Sequence, residues 1–220
     1  MTITFPSSSL TEHQLSDGCR FNAGELPAPL IWDQADFEHF WAEHPAERHP
    51  IKIHGKSLLT PRFQQAYGAN YDYSGSRNNA LPIPASLRPL LEWVQAHVDP
   101  RHNGMLLNWY DGCDHYIGEH HDSTKGLIPG APIVTLSFGE TRVFRLSQGQ
   151  GVNRKMHDFT ATHGAVFSMP WETNLRWKHA VPKRVSYRGR RISVTLRAFA
   201  TGLLPPELCF ADGDPLRTAS

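Results

Sequence analysis

The sequence predicts an α+β protein in which a small mixed N-terminal part precedes a β-rich core. Two helical patterns fall within residues 31–100, and short apolar or alternating runs bounded by turn residues follow residue 101. Many short strands joined by tight turns are typical of a β-sandwich or β-barrel. The 220 residues are 40% hydrophobic and 20% charged, which favours a folded globular chain over a disordered one.

Both predicted helices lie in residues 31–100. Asp33 is a suitable N-cap for a short amphipathic helix, and Pro45 follows its end. The second helix is expected to begin near Ser86 and to end at Asp99, before a proline. Its apolar side chains recur at helical spacing: Leu87, Leu90, Leu91, Val94 and Val98.

The β core is expected over residues 101–205. Residues 1–30 are rich in Ser, Pro and Gly and are expected to be irregular, and residues 206–220 form a C-terminal tail. A hairpin is also predicted at Ile51–Lys56, where apolar and polar residues alternate into a His-Gly-Lys turn. The core strands are predicted at Met105–Tyr110, Ile133–Phe138, Arg142–Leu146, Ala165–Met169 and Arg191–Phe199.

The composition excludes several classes of protein. The three cysteines form no CxxC pair, so a disulfide framework is not expected, and a reducing, cytoplasmic location fits. No apolar run approaches the roughly 20 residues of a membrane span, and the first residues do not resemble a secretory signal. We therefore expect a protein that is not membrane-bound, and a monomer.

The overall charge conceals an uneven distribution along the chain. The net charge is only +1, which argues against a polyanion partner. Residues 1–60, however, hold eight acids and four bases, whereas residues 141–197 hold twelve bases and two acids. Such a local excess either attracts phosphate groups or is simply a solvated basic face, and the sequence leaves both open.

A candidate metal site lies near the middle of the chain. His120 and Asp122 are two residues apart, so on a strand both side chains would project from one face. His179, which 56 residues separate from Asp122, would supply a second imidazole. Two histidines and one carboxylate make the facial triad of non-haem Fe(II) oxygenases. The HxD spacing alone is weak in a chain with 13 histidines.

The last predicted strand strengthens this interpretation because it alternates strictly. Ile192, Val194 and Leu196 would face a helix or a second sheet. The opposite face would direct Arg191 and Arg197 into the barrel, where guanidinium groups are costly unless they meet anions such as carboxylates. Asn108 and Tyr110 also share one strand face and offer hydrogen bonds.

Four segments together resemble the AlkB family of Fe(II)/2-oxoglutarate dioxygenases. The order and spacing of the motifs match across about residues 50–200. The matching segments are Asn108 to Asp122, Pro132 to Gly139, Trp177 to His179, and Arg191 to Arg197.

The resemblance implies a double-stranded β-helix, or jelly-roll, core. It implies Fe(II) bound by His120, Asp122 and His179. It also implies that 2-oxoglutarate is held by Asn108, Tyr110, Arg191 and Arg197, with the first arginine on the distal carboxylate. With O₂, such an enzyme hydroxylates an N-methyl carbon of a nucleic-acid base, and the product loses formaldehyde.

The resemblance extends to a nucleotide-recognition lid between residues 53 and 75. Four residues of this lid, together with Ser123 directly after the His-x-Asp motif, are expected to contact the substrate: His54, Arg62, Tyr71, Tyr73 and Ser123. A duplex base must leave the stack to reach the iron, and Tyr73 is the candidate platform opposite the His120 ring.

Two of these five residues depart from the duplex-repair members of the family. His54 stands where they carry an aromatic wedge. Ser123 follows the motif where they commonly carry an acid that contacts the damaged base. A hydroxyl cannot replace a carboxylate as a hydrogen-bond acceptor for a cationic base.

Three functions therefore remain open from the sequence. The first is demethylation of N-alkylated bases in DNA or RNA. The second is the same iron chemistry on a small molecule or peptide, which the low net charge and the missing acids favour. The third is a catalytically silent nucleic-acid binder, against which the intact metal and arginine motifs argue.

Overall fold

A computed structural model describes residues 10–53, 56–73 and 76–200 of the chain. Its described residues form three α-helices: α1 (Gln34–Ala42), α2 (Arg88–His97) and α3 (Trp171–Arg176). The strands before α2 are β1 (Thr11–Gln14), β2 (Arg20–Glu25), β3 (Pro50–Ile53), β4 (Lys56–Leu59), β5 (Phe63–Tyr67), β6 (Tyr71–Tyr73), β7 (Ser76–Asn78) and β8 (Ala80–Leu81). The strands after α2 are β9 (Gly104–Asp111), β10 (Ile117–His120), β11 (Ile133–Gly139), β12 (Arg142–Gln148), β13 (Lys155–Ala161), β14 (Ala165–Met169), β15 (Lys178–Val181) and β16 (Arg190–Arg197).

Two sheets form the core. The larger has eight strands in the order β1-β2-β14-β11-β16-β9-β5-β8, and the smaller has four in the order β10-β15-β12-β13. The eight strands after α2 pair with one another in antiparallel fashion and are shared equally between the two sheets, as in a jelly roll. The predicted double-stranded β-helix core and α+β class are confirmed. Within the described residues, none of the helices has the length and apolar character needed to cross a bilayer.

The alternation predicted for the last strand explains how the helices attach. Ile192, Val194 and Leu196 are fully buried on one face of β16 and pack in a cluster that includes side chains of α1 and α2. The N-terminus of α1 is fixed as predicted, because Asp33 and Asp36 form a reciprocal capping box. The opposite face of β16 is thereby left for the space between the sheets.

The expectation that residues 1–30 are irregular is wrong for two segments. β2 pairs with β14, and β1 pairs with β2, so both extend the larger sheet. The physical reason is burial of Phe21, whose ring is fully buried between the sheets and stacks against Phe144 and Phe167. One large apolar residue among polar neighbours gave no strand signal in the sequence.

The buried guanidinium of Arg142 connects loops at one end of the sheets through hydrogen bonds. Arg142 is 1% exposed, and its guanidinium donates to the carbonyl oxygens of His115 and Gly112 at 2.8 and 2.9 Å. The guanidinium also donates to the Glu140 carboxylate at 3.1 Å and lies over the Tyr187 ring. Arg142 therefore supplies hydrogen bonds to carbonyl groups that would otherwise be buried without donors.

Arg142→Met is expected to destabilise the protein by about 3–5 kcal/mol, because it leaves the carbonyl groups of His115 and Gly112 without this donor and removes the cation beside the partly buried Glu140 carboxylate. Arg145→Met on the same strand is the control. The pair that Arg145 makes with Asp158 at 2.7 Å is solvent-exposed and is worth at most about 1 kcal/mol. Urea unfolding of both variants tests the difference, and equal midpoints would contradict it.

Candidate active site between the two sheets

The polar face of β16 and the strands beside it form the floor of a pocket. Strand pairing places Arg191 opposite Tyr110, and Ser193 opposite both Asn108 and Ser137. Because side chains alternate along a strand, these residues all project toward the smaller sheet. Arg191, Ser193, Thr195 and Arg197 line this pocket together, and the alternation of the sequence placed both arginines on this face.

The three predicted metal ligands come together at the mouth of the pocket. Strand pairing places His120 on β10 opposite His179 on β15, and the two ring centroids are 4.2 Å apart. Asp122 Oδ1 lies 3.4 Å from His120 Nε2 and 3.7 Å from His179 Nε2. One ligand atom from each residue falls within 4.8 Å of the other two. This donor set can hold an Fe(II) ion on one face.

The protonation of this trio suits a metal ion. The Nδ1 atom of His120 lies 2.9 Å from the Gly118 carbonyl oxygen and donates to it, so Nε2, which lies 3.4 Å from Asp122 Oδ1, is the nitrogen that faces the metal position. Burial, with a further contribution from the His120 charge, lowers the pKa of His179 to about 3. The His179 ring is therefore neutral at physiological pH, the form that a metal requires.

Asp122 is held as an anion by a contact that the sequence did not predict. Burial alone would raise its pKa, but Arg197, with both histidines, holds that pKa well below its usual range. Arg197 Nε and Nη2 both donate to Asp122 Oδ2, at 3.1 and 2.6 Å. The two oxygens of the Asp122 carboxylate therefore face different partners: Oδ2 faces Arg197, and Oδ1 faces the two histidines. The further role of Arg197 toward 2-oxoglutarate stays a prediction.

Arg191 lies deeper in the pocket and fits the predicted carboxylate. It is 0% exposed, and its Nε donates to Ser137 Oγ at 2.9 Å. Within the described residues, Nη1 and Nη2 are buried without a hydrogen-bond partner. Burial lowers the pKa of Arg191, which reflects the cost of a desolvated cation without an anion. A carboxylate with two oxygens would satisfy both nitrogens, so this part of the pocket fits 2-oxoglutarate.

Asn108 is oriented by Arg62, a residue predicted to touch the substrate. Arg62 is 4% exposed, and its Nε donates to Asn108 Oδ1 at 2.7 Å while its Nη2 donates to Gln64 Oε1 at 3.1 Å. Because both amide oxygens accept from Arg62, both amide NH₂ groups are left to donate elsewhere. Gln64 was missed in the sequence. It could have been found from its spacing of two residues from Arg62, which directly precedes β5, since strand pairing places Gln64 opposite Asn108.

The other predicted substrate residues are placed less completely. Tyr71 and Tyr73 lie on β6, which pairs with β7 in a hairpin, but their side chains fall outside the described structure. His54 also lies outside the described residues. Ser123 follows the metal ligand Asp122 directly, and its Oγ accepts a hydrogen bond from the Lys125 N–H at 3.3 Å. Contact of these four residues with a substrate stays a prediction.

The basic stretch is largely neutralised by the fold. Seven of its twelve cations lie within 4 Å of a carboxylate, including acids from distant parts of the chain. Charge summed along the sequence therefore overstates the potential available to a phosphate backbone. The seven pairs are Arg142–Glu140, Arg145–Asp158, Arg154–Glu119, Lys183–Asp114, Arg184–Asp158, Arg190–Glu38 and Arg197–Asp122.

Comparisons with known proteins agree with this geometry. A family model described as the 2OG-Fe(II) oxygenase superfamily matches residues 31–197. The DNA oxidative demethylase ALKBH2 of Homo sapiens is 36% identical over 159 residues, which cover 67% of this chain and 60% of that protein. ALKBH2 of Arabidopsis thaliana is 32% identical over 202 residues, covering 78% and 63%. The alpha-ketoglutarate-dependent dioxygenase alkB homolog 3 of Rattus norvegicus is 29% identical over 149 residues, covering 62% and 50%.

The chain thus spans between half and two thirds of the length of these relatives. Their names confirm the resemblance to the AlkB family that the motifs indicated. The family model covers every predicted metal and 2-oxoglutarate residue, from Asn108 to Arg197. The chain belongs to the 2OG-Fe(II) oxygenase superfamily.

Proposed function

We propose that the chain is an Fe(II)/2-oxoglutarate-dependent dioxygenase that removes N-alkyl groups from bases in DNA or RNA. In this proposal His120, Asp122 and His179 hold Fe(II) and leave three coordination positions open. The bound iron supplies the activation of O₂ and the oxidation of a substrate C–H bond. The remaining steps concern what the residues of this chain bind, orient and exclude.

The buried guanidinium of Arg191 is the observation that carries the proposal. A cation with two buried NH₂ groups that have no partner among the described residues is costly, and it is retained where an anionic ligand completes it. Arg191 lines the same pocket as His120, Asp122 and His179. A dicarboxylate fits this arrangement, because one end can meet Arg191 while the other lies toward the metal ligands. Asn108 and Tyr110 are proposed to donate hydrogen bonds to it.

The proposed reaction balances as an oxidative demethylation. One oxygen atom of O₂ enters succinate as 2-oxoglutarate loses CO₂, and the other is inserted into an N-methyl C–H bond. The resulting N–CH₂OH group breaks its C–N bond and releases formaldehyde, and the ring nitrogen is restored. The apolar walls of the pocket, which include Leu106, Phe144 and Val181, keep bulk water from the reacting carbon.

A nucleic-acid substrate is supported by the lid and by the relatives, and less by charge. The β6–β7 hairpin carries Tyr71 and Tyr73, which suit stacking on an extruded base. The matched relatives from Homo sapiens and Arabidopsis thaliana are named as DNA oxidative demethylases. Because most cations of residues 141–197 are paired with carboxylates, the charge of this stretch supports a nucleic-acid substrate only weakly. The same pairing favours the alternative, a small-molecule or peptide substrate.

Substrate-dependent turnover tests the proposal. The full chain is incubated with Fe(II), 2-oxoglutarate and methylated single-stranded DNA, duplex DNA, RNA or nucleosides, and succinate and formaldehyde are measured. Release of both products in the presence of a methylated nucleic acid, and its loss in His120→Ala, is the expected result. Turnover of 2-oxoglutarate that no nucleic acid changes would favour a small molecule or peptide. Salt-sensitive DNA binding without turnover would favour a silent binder.

The sequence also predicts the oligomeric state and the cellular location of the protein. The monomeric state and the cytoplasmic location expected from the sequence stay predictions.

A further inference from the structure

The metal ligand Asp122 lies beyond the sheet that positions its two histidine partners. β10 ends at His120, and its pairing with β15 ends at the register of His120 with His179. The sequence predicted that His120 and Asp122 would share one strand, so that the strand would direct both side chains. In the structure the ladder does not reach Asp122, and another element must hold its backbone.

That element is the side chain of Asn174 on α3. Asn174 is 0% exposed, and its Oδ1 accepts a hydrogen bond from the Asp122 N–H at 2.9 Å. Its Nδ2 donates to the Asp122 carbonyl oxygen at 3.0 Å. One side-chain amide thus satisfies both backbone groups of Asp122, much as a neighbouring strand would satisfy them.

A third contact fixes the preceding residue from the same place. His121 Nδ1 lies 2.6 Å from the backbone carbonyl oxygen of Asn174 and donates to it. The consecutive residues His121 and Asp122 are therefore both hydrogen-bonded to Asn174 of α3. Asparagine suits this position because its planar amide offers one acceptor and two donors without a charge beside the metal ligands.

We propose that Asn174 is a positioning residue of the metal centre, whose amide fixes the backbone of Asp122 so that Oδ1 faces the two histidines. Arg197 holds the other oxygen of the carboxylate, so backbone and side chain of Asp122 are constrained from opposite ends. The inference rests on the proposed metal site. Residues that orient metal ligands from behind set both the affinity and the geometry of a site.

The neighbouring residue Thr173 provides a matched control. It is 1% exposed on the same short helix, and its Oγ1 donates to the Arg20 carbonyl oxygen at 2.6 Å. Thr173 thus also joins α3 to the backbone of another segment, but to β2 rather than to the metal loop. Thr173→Val and Asn174→Leu each remove one buried side-chain bridge with little change in volume.

Cobalt(II) binding to the metal-free full chain separates positioning from folding. For Asn174→Leu we expect the Co(II) dissociation constant to rise by about 10- to 100-fold, with an altered visible absorption spectrum. For Thr173→Val we expect a lower melting temperature, with an unchanged spectrum and a dissociation constant within about twofold of the parent value. If Asn174→Leu does not fold, Asn174→Ala takes its place, because the smaller side chain leaves room for water.

The result that overturns the inference is Co(II) binding by the Asn174 variant with the affinity and spectrum of Thr173→Val. A different result separates the inference from the proposed function. If the parent chain binds Co(II) no better than His120→Ala does, the metal site itself is wrong, and the inference falls with it.

Discussion

Replacement of Arg191 by methionine is expected to abolish 2-oxoglutarate binding while raising the melting temperature of the ligand-free protein. Each hydrogen bond to a charged group is worth about 1.5–3 kcal/mol, so the loss of two lowers affinity by more than about 100-fold. In the ligand-free protein the change removes a desolvated cation whose Nη1 and Nη2 have no partner among the described residues. Replacing buried charged groups by apolar side chains stabilises proteins by about 1–4 kcal/mol, which corresponds to about 2–16 °C for a chain of this length.

These opposite effects distinguish a binding residue from a structural one. Arg190→Met is the control, because Arg190 is the same residue type one position earlier on β16. It projects to the other face of the sheet, where it pairs with Glu38 and lies over the Trp41 ring. Calorimetric titration with 2-oxoglutarate and thermal unfolding should show normal binding for Arg190→Met. Normal binding by Arg191→Met would mean that the buried guanidinium serves another anion.

The second large effect is expected at Asp122. Asp122→Ala removes a proposed iron ligand and leaves the guanidinium of Arg197, which is 4% exposed, without its carboxylate. Breaking a buried pair from one side costs about 3–5 kcal/mol, so the melting temperature should fall by about 6–20 °C. Metal-dependent turnover should fall to background, since two histidines alone hold Fe(II) weakly.

A double substitution separates the two roles of the Asp122 carboxylate. Asp122→Ala combined with Arg197→Met should recover most of the lost stability, because no buried charge is left unpaired. Turnover should not return, because the ligand is still missing. Glu119→Ala serves as the control, since this partly exposed carboxylate lies on β10, three residues before Asp122, and pairs with Arg154. Recovery of activity in the double variant would show that Asp122 acts only as the partner of Arg197.

The residue types and alternation of β16 were sufficient to predict the floor of the site. A strictly alternating strand has only two faces, so the apolar set had to meet the core and the arginines had to meet the pocket. The metal trio was also predictable, because ligand chemistry restricts the candidates to a few histidines and acids. These predictions rest on rules that apply within one strand or one motif.

The contacts that complete the site were not predictable in this way. Arg197 and Asp122 are 75 residues apart, and Asn174 reaches Asp122 across 52 residues. Nothing in the local sequence distinguishes Asn174 from an ordinary polar residue of a short helix. The neutralisation of the basic stretch could not be predicted for the same reason, since Glu38 pairs with Arg190 across 152 residues. Pairings of this kind are set by the packing of elements, which residue spacing does not encode.

The placement of β2 has a consequence for any shortened form of the protein. The superfamily match begins at residue 31, yet the larger sheet begins twenty residues earlier, with β1. A chain cut at residue 31 would lose the strand that covers β14 and would leave the hydrogen-bonding groups of that strand exposed. Open edges of this kind recruit strands from other molecules. Such a chain would also lack Phe21, so it should associate through β14 even though every residue of the active site is present.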